Sequence, residues 1–250
     1  MKLCENKIVN EVMVDLVVVF LCVVISVVML FINPHHMLIP TEEDNVNMKY
    51  PFKNESVPFY VCALVAYVPP LLLLVLFSFL KTSWRYFLLS FLALAFAISL
   101  CAAVVSSFKL FAGRPRPHFY DRLAQKPSDT IDVYQSFPSG HSSTIFNGAT
   151  FLSLLLVGQL HVFSTSHEVW RLALSICPFI VAGVVAISRT RDYYHNFSDI
   201  LGGAFIGMVS SFIVYVLKFE SLFSSHSQNL KILEEQLQEE KTTNEDIFDM

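Results

Sequence analysis

Three short polar stretches interrupt an otherwise apolar chain, and each carries residue types suited to holding or attacking an anion. They read "KLFAGRPRPHF" (109–119), "SFPSGHSS" (136–143) and "SRTRDYYHNFSD" (188–199). The first supplies Lys109 and Arg116, and the third supplies Arg189. Three fixed cations suit a tetrahedral, doubly charged phosphate, and the planar fork of arginine grips two of its oxygens at once. The prolines at 115 and 117 stop any helix that runs through Lys109, so Arg116 folds back on a rigid turn.

The second stretch is small and polar where a helix begins. Ser139 is a natural N-cap, Gly140 lets a ligand approach the backbone, and the free N–H groups of the first turn form an anion cradle. His141 stands beside that cradle as a donor. In the third stretch His195 and Asp199 are four apart and share a helical face. A carboxylate there can take the proton of one ring nitrogen and leave the other as a free lone pair, the arrangement of an activated nucleophile. Singly, each break reads as snorkelling anchors or interfacial histidines. Three complementary breaks on one face of the membrane favour a phosphatase that needs no metal. His141, His195, Asp192 and Asp199 could ligate a cation, but Lys109, Arg116 and Arg189 would repel it.

The elements that position these residues follow from the bulk of the chain. Its 250 residues are 54% hydrophobic and 15% charged, against about 45–50% and about 25% in soluble domains. Six apolar blocks, near 13–32, 57–79, 86–108, 143–163, 172–188 and 200–218, approach the length of about 20 residues that spans a bilayer. An open strand in lipid would leave its backbone unpaired, so the blocks are helices. The expected fold is all-α, a bundle of six transmembrane helices with its site at one membrane face. Residues 1–12 form a cytosolic N-terminus, 13–218 the six-span core and 219–250 an acidic cytosolic tail, read as solvated despite Leu230, Leu233 and Leu237. The first block lacks a cleavage site and reads as a retained anchor.

With six spans the three polar breaks share one side of the membrane. Lys and Arg divide almost evenly between the sides. Discounting the clusters at Lys109, Arg114, Arg116, Arg189 and Arg191 leaves the excess with the termini, which are then cytosolic. The acidic net charge of −4 does not suggest nucleic acid. The five cysteines include no pair in a polar loop, so no disulfide framework is indicated. Six spans alone would also suit a transporter, but no span carries a charge at mid-membrane.

These stretches resemble the signature of the type 2 phosphatidic acid phosphatase superfamily, in order and spacing. The matching positions are Lys109 to Arg116-Pro117, then Pro138-Ser139-Gly140-His141, then Ser188-Arg189, His195 and Asp199. The wider text, including "KYPFKNESVP", looks like the eukaryotic lipid phosphate phosphatase branch. The resemblance implies a six-helix core in an endomembrane or plasma membrane, with its site facing the lumen or exterior and both termini cytosolic. It also implies Mg²⁺-independent hydrolysis of phosphatidate, lysophosphatidate and related lipid phosphates, with no cofactor. His195 matches the nucleophile that forms a phosphohistidine, and His141 matches the acid. Lys109, Arg116, Ser139, Gly140 and Arg189 match the phosphate binders. Sphingoid-base phosphates and isoprenyl or dolichyl diphosphates are the alternative substrates within the family. A catalytically silent membrane binding protein is the non-enzymatic alternative, and a homo-oligomer is left open.

Overall fold

A computed structural model describes residues 2–39, 46–164 and 168–248. These residues are helical, with one isolated bridge between Phe219 and Leu230. The α-helices are α1 (Lys2–Leu30), α2 (Phe59–Leu80), α3 (Trp84–Ala112), α4 (Phe119–Gln125), α5 (Gly140–Gln159), α6 (Val169–Arg191), α7 (Phe197–Lys218) and α8 (Lys231–Phe248). α2 and α6 run on through Pro69, Pro70 and Pro178.

Among the described residues, five helices are long and apolar enough to cross a membrane: α1, α2, α3, α6 and α7. The fourth apolar block of the sequence, near 143–163, falls on α5, which does not qualify, and its place in the bundle supplies the reason. α5 packs against α2, α3, α6 and α7, so most of its surface meets protein and does not have to be apolar. Ser142 and Asn147 find partners there, while Thr150 Oγ1 and Ser153 Oγ are buried without one among the described residues. The Ser142 hydroxyl donates to the carbonyl of Ile200 (2.7 Å), and Asn147 Nδ2 donates to that of Ala97 (3.1 Å). α7 lies very close to it. A Cβ on Gly203 or Gly207 would come within 2.4 Å of the Ser139 carbonyl or 2.3 Å of the Ser143 carbonyl. Small residues spaced four apart are what bring two membrane helices into such contact. α1 is the opposite case: it is largely exposed, and Lys218 of α7 holds its polar end through Glu11 (2.8 Å) and Asp15 (2.7 Å).

The chain after α7 departs from the solvated tail expected of it. Leu230 and Ile232 are buried in one core with Leu74, Tyr86, Phe151 and Tyr215, while Leu233 packs at its edge. Lys81 Nζ and Gln159 Nε2 both donate to the Gln228 carbonyl. Only farther along does the expectation of solvent hold, with Leu237 exposed. The stripe of leucines was the signal, and its first members cover the bundle's end.

On the opposite end, residues 46–58 form a strap across the mouths of α3, α5 and α6. Phe52 N donates to Asp121 Oδ2 (2.6 Å), the Tyr194 hydroxyl donates to the Lys53 carbonyl (2.8 Å), and Tyr50 stacks on Tyr193 with ring centres 4.6 Å apart.

Candidate active site

The cations come first, because helix ends fix them. Lys109 lies in the last turn of α3, and its Nζ donates to the Gln135 carbonyl (3.0 Å). α3 stops at Ala112 and the two prolines turn the chain, as expected, so that Arg116 is buried beside it. Arg116 Nη2 pairs with Asp132 Oδ1 (2.7 Å), and its Nε donates to the Asp132 carbonyl (2.9 Å). Arg189, at the end of α6, is fully buried and pairs through Nη2 with Asp192 Oδ2 (2.8 Å). Both guanidiniums lie over the Tyr194 ring, each 5.6 Å from its centre. Tyr194 therefore spaces two cations that would otherwise repel at closer range.

α5 begins beside these groups. Ser139 is its N-cap, with Oγ accepting from Ser142 N (3.4 Å), while Ser139 N donates to the Asp199 carbonyl (3.0 Å). A Cβ on Gly140 would meet only Lys109 Cε, at 3.9 Å. The protein itself leaves room for a side chain there. The space that Gly140 keeps free belongs to the cavity.

The two histidines are each held from behind by a main-chain carbonyl. His195 Nδ1 is 2.7 Å from the Ser136 carbonyl. A carbonyl only accepts, so Nδ1 carries the proton and Nε2 carries the lone pair. Burial, then the charges of Arg116 and Lys109, hold its pKa well below the ordinary 6.5. His141, in the first turn of α5 ahead of the apolar stretch, donates from Nε2 to the Val57 carbonyl (3.0 Å). Arg189 Nη1 lies 3.4 Å from the same nitrogen and Glu55 Oε2 lies 3.9 Å from it. Burial and then Arg189 lower the His141 pKa to about 3. Both rings are neutral while no anion is present.

Asp199 differs from its expected role. Its nearest approach to His195 Nδ1 is 3.9 Å, beyond hydrogen-bond range. Oδ2 instead accepts from the Ser136 hydroxyl (2.6 Å) and from Asn196 N (2.8 Å), which closes a capping box on α7, and Oδ1 pairs with Arg114 (2.7 Å). The capping requirement at the start of α7 outcompetes the i,i+4 contact. Asp192 is likewise taken up, accepting from Ser56 N (2.7 Å) and Ser56 Oγ (2.6 Å) besides Arg189. With both carboxylates committed to arginines, the four residues weighed as metal ligands do not converge.

One cavity of about 500 Å³ unites the site. Lys109, Arg116, Gly140, His141 and His195 line one end together with the carboxylates of Glu55 and Asp132, while Ala63, Tyr67, Ile98 and Val105 line the other, between α2 and α3. Ser139 and Arg189 stand behind this wall, fully buried, as do Asp199 and Ser136. Sequence reasoning gave no place in the site to Ser136, Ser56 and Glu55, and no role to Arg114. Ser136 opens the second polar stretch, and Glu55-Ser56 falls in "KYPFKNESVP", so the signals were the flanks of motifs already noticed.

The sequence profile of the PAP2 superfamily matches residues 88–223, a span that contains all three polar stretches of the site. Among curated proteins, Lipid phosphate phosphatase 2 of Arabidopsis thaliana is 31% identical over 82% of this chain and 76% of its own length. Lipid phosphate phosphatase 1 of the same plant is 33% identical over 80% of this chain and 66% of its own. The probable diacylglycerol pyrophosphate phosphatase 1 of Schizosaccharomyces pombe is 29% identical over 78% and 77%. No solved structure matches the chain.

Proposed function

The chain belongs to the PAP2 superfamily, and from that membership and the site's geometry we propose that it is an integral membrane phosphatase acting on lipid phosphates. The observation that carries the reading is the cavity's two-ended lining, cations and histidines at one end and apolar side chains of membrane helices at the other. A phosphate group fits the first end and the lipid it is attached to fits the second. In this reading α5 crosses the membrane as a sixth span shielded by its neighbours, residues 1–12 and 219–250 are cytosolic, and the site opens to the lumen or exterior.

In the proposed mechanism Lys109, Arg116 and Arg189 neutralise the phosphate, and the first-turn amides at Gly140 and His141 hold its oxygens. Entry of that negative charge offsets the cations that, after burial, hold the His141 pKa down, so the ring takes up a proton with the substrate. His195 Nε2 attacks phosphorus, the P–O bond to the lipid breaks, and His141 gives its proton to the departing alkoxide. Water, losing a proton to His141, then splits the phosphohistidine and releases inorganic phosphate. Cations and amides supply the charge stabilisation that Mg²⁺ brings to other phosphatases.

The test is phosphate release by purified protein in detergent micelles. The panel is phosphatidate, lysophosphatidate, a sphingoid-base phosphate, diacylglycerol pyrophosphate, an isoprenyl diphosphate and glucose phosphate, each with and without excess chelator. We expect the lipid phosphates to be hydrolysed unchanged by EDTA. Abolition by EDTA with rescue by Mg²⁺, or equal turnover of glucose phosphate, would overturn the reading. Orientation is tested separately with a cysteine in place of Ser128, exposed on the loop before α5. It should react with an impermeant maleimide from the lumenal or exterior face only, and reaction solely from the cytosolic face reverses the topology.

A further inference from the structure

Ser136 is fully buried and lines no part of the cavity wall, yet each of its polar groups is committed to the site. Its N–H donates to the Arg114 carbonyl (3.0 Å), its hydroxyl to Asp199 Oδ2 (2.6 Å), and its carbonyl accepts from His195 Nδ1 (2.7 Å). Asp199 is fixed in turn by Asn196 N and by Arg114, whose Nη1 also donates to Ser198 Oγ (2.6 Å). The signature residues alone suggest a direct carboxylate–imidazole pair, which the 3.9 Å separation does not make.

We infer that Ser136 is a positioning residue through which Asp199 acts on His195. This rests on the reading of His195 as the nucleophile. The hydroxyl–carboxylate bond holds the Ser136 peptide, and the peptide carbonyl holds the ring. The difference from a direct pair is chemical. A carboxylate against the ring would stabilise an imidazolium, whereas a carbonyl only orients it and fixes the tautomer that leaves Nε2 free. His195 thereby stays a neutral base among three cations. A serine is needed because one residue must offer a side-chain donor to Asp199 while its own carbonyl faces the histidine.

The experiment is pre-steady-state hydrolysis of nitrophenyl phosphate in micelles, comparing wild type, Ser136→Ala, Asp199→Asn and the double variant. Ser136→Ala removes one oxygen and leaves Asp199 its bonds to Asn196 and Arg114, and an unchanged thermal midpoint will check the fold. We expect the burst rate constant to fall about 10- to 100-fold in each single variant, the range seen when an outer support of a reacting group is removed. KM and the burst amplitude should hold within about twofold. The double variant should be no slower than Asp199→Asn alone, because both changes break one chain of contacts. A wild-type burst rate in Ser136→Ala, or losses that multiply in the double variant, would overturn the inference. His195→Ala is the control. If it keeps the burst, the nucleophile assignment is what has failed.

Discussion

His195 and His141 are oriented by the same device and anchored in different material. Each donates its rear N–H to a main-chain carbonyl. The carbonyl behind His195 belongs to Ser136, locked between Arg114 and Asp199 where α5 and α7 begin. The carbonyl behind His141 belongs to Val57, at the end of the strap that precedes α2. That strap reaches the site through Ser56 and its two bonds to Asp192. One ring is thus held by the packed bundle and the other by a loop lying over it. The step that must be invariant for every substrate, attack on phosphorus, is assigned to the rigid side. The step that meets the variable part of the substrate, protonation of the leaving lipid, is assigned to the side a loop controls.

The largest expected effect separates the two rings by leaving group. His195→Ala should abolish the covalent route, a loss on the order of 10⁴-fold or more on phosphatidate and nitrophenyl phosphate alike. His141→Ala should cost about 10²–10⁴-fold on phosphatidate, whose alkoxide needs a proton, and about tenfold or less in the burst with nitrophenyl phosphate. Turnover after that burst should be slow, because His141 also activates the water. Equal losses on both substrates in His141→Ala, burst included, would dissolve the division of labour.

A smaller effect sharpens it. Ser56→Ala removes the hydroxyl bond to Asp192 and leaves the Ser56 N–H bond and the Arg189 pair in place, so it loosens Val57 and with it His141. The expected result is about a tenfold loss of kcat on phosphatidate with less than twofold loss in the nitrophenyl phosphate burst. Matching losses on the two substrates would mean that the strap supports the whole site and not the acid alone.

What the sequence revealed of this arrangement divides along the same line. The residues that meet in the cavity were legible because the proposed chemistry needs particular types: Lys109, Arg116, Gly140, His141 and His195 all line it. Their supports were not, since a carbonyl acceptor such as that of Val57 or Ser136 leaves no mark in residue type. Asp199 illustrates the limit. Helical spacing puts it near His195, but the capping box with Asn196 decides where its oxygens go. In the fold, apolar blocks located the lipid-facing helices well. α5 is the instructive exception, because Ser143, Asn147 and Ser153 face protein and lower the apolarity by which a span is recognised. The burial of Leu230 and Ile232 depends on a surface formed by α2, α3, α5 and α7 together, which no local pattern displays.

The smallest expected effect concerns acid, and it distinguishes burial from catalysis. His118 is fully buried, donates from Nδ1 to the Tyr193 carbonyl (2.9 Å), and has no partner for Nε2. It holds the left-handed Tyr193 (φ 62°) that leads into His195. Burial, then Arg116 and Arg122, lower its pKa to about 4. His141 and His195 are depressed as well. In the unfolded chain all three take up protons near the ordinary 6.5, while the folded protein refuses them. The unfolded state therefore binds more protons below that value, and stability falls as pH falls, with the loss levelling off only near the folded pKa values. Carboxylates, with ordinary values of about 4, contribute little above pH 5. Between pH 7 and 5 the thermal midpoint in detergent should thus drop steadily. His118→Phe keeps a ring against Phe52 and Tyr194 and removes one of the three protons. Its midpoint should start lower, for want of the bond to Tyr193, but decline less steeply with acid. The acid limb of kcat/KM, set by His195, should remain below pH 6.5 in both proteins. A slope unchanged by His118→Phe would show that this histidine is not held neutral by its surroundings, and a midpoint that rises on acidification would reverse the sign for all three.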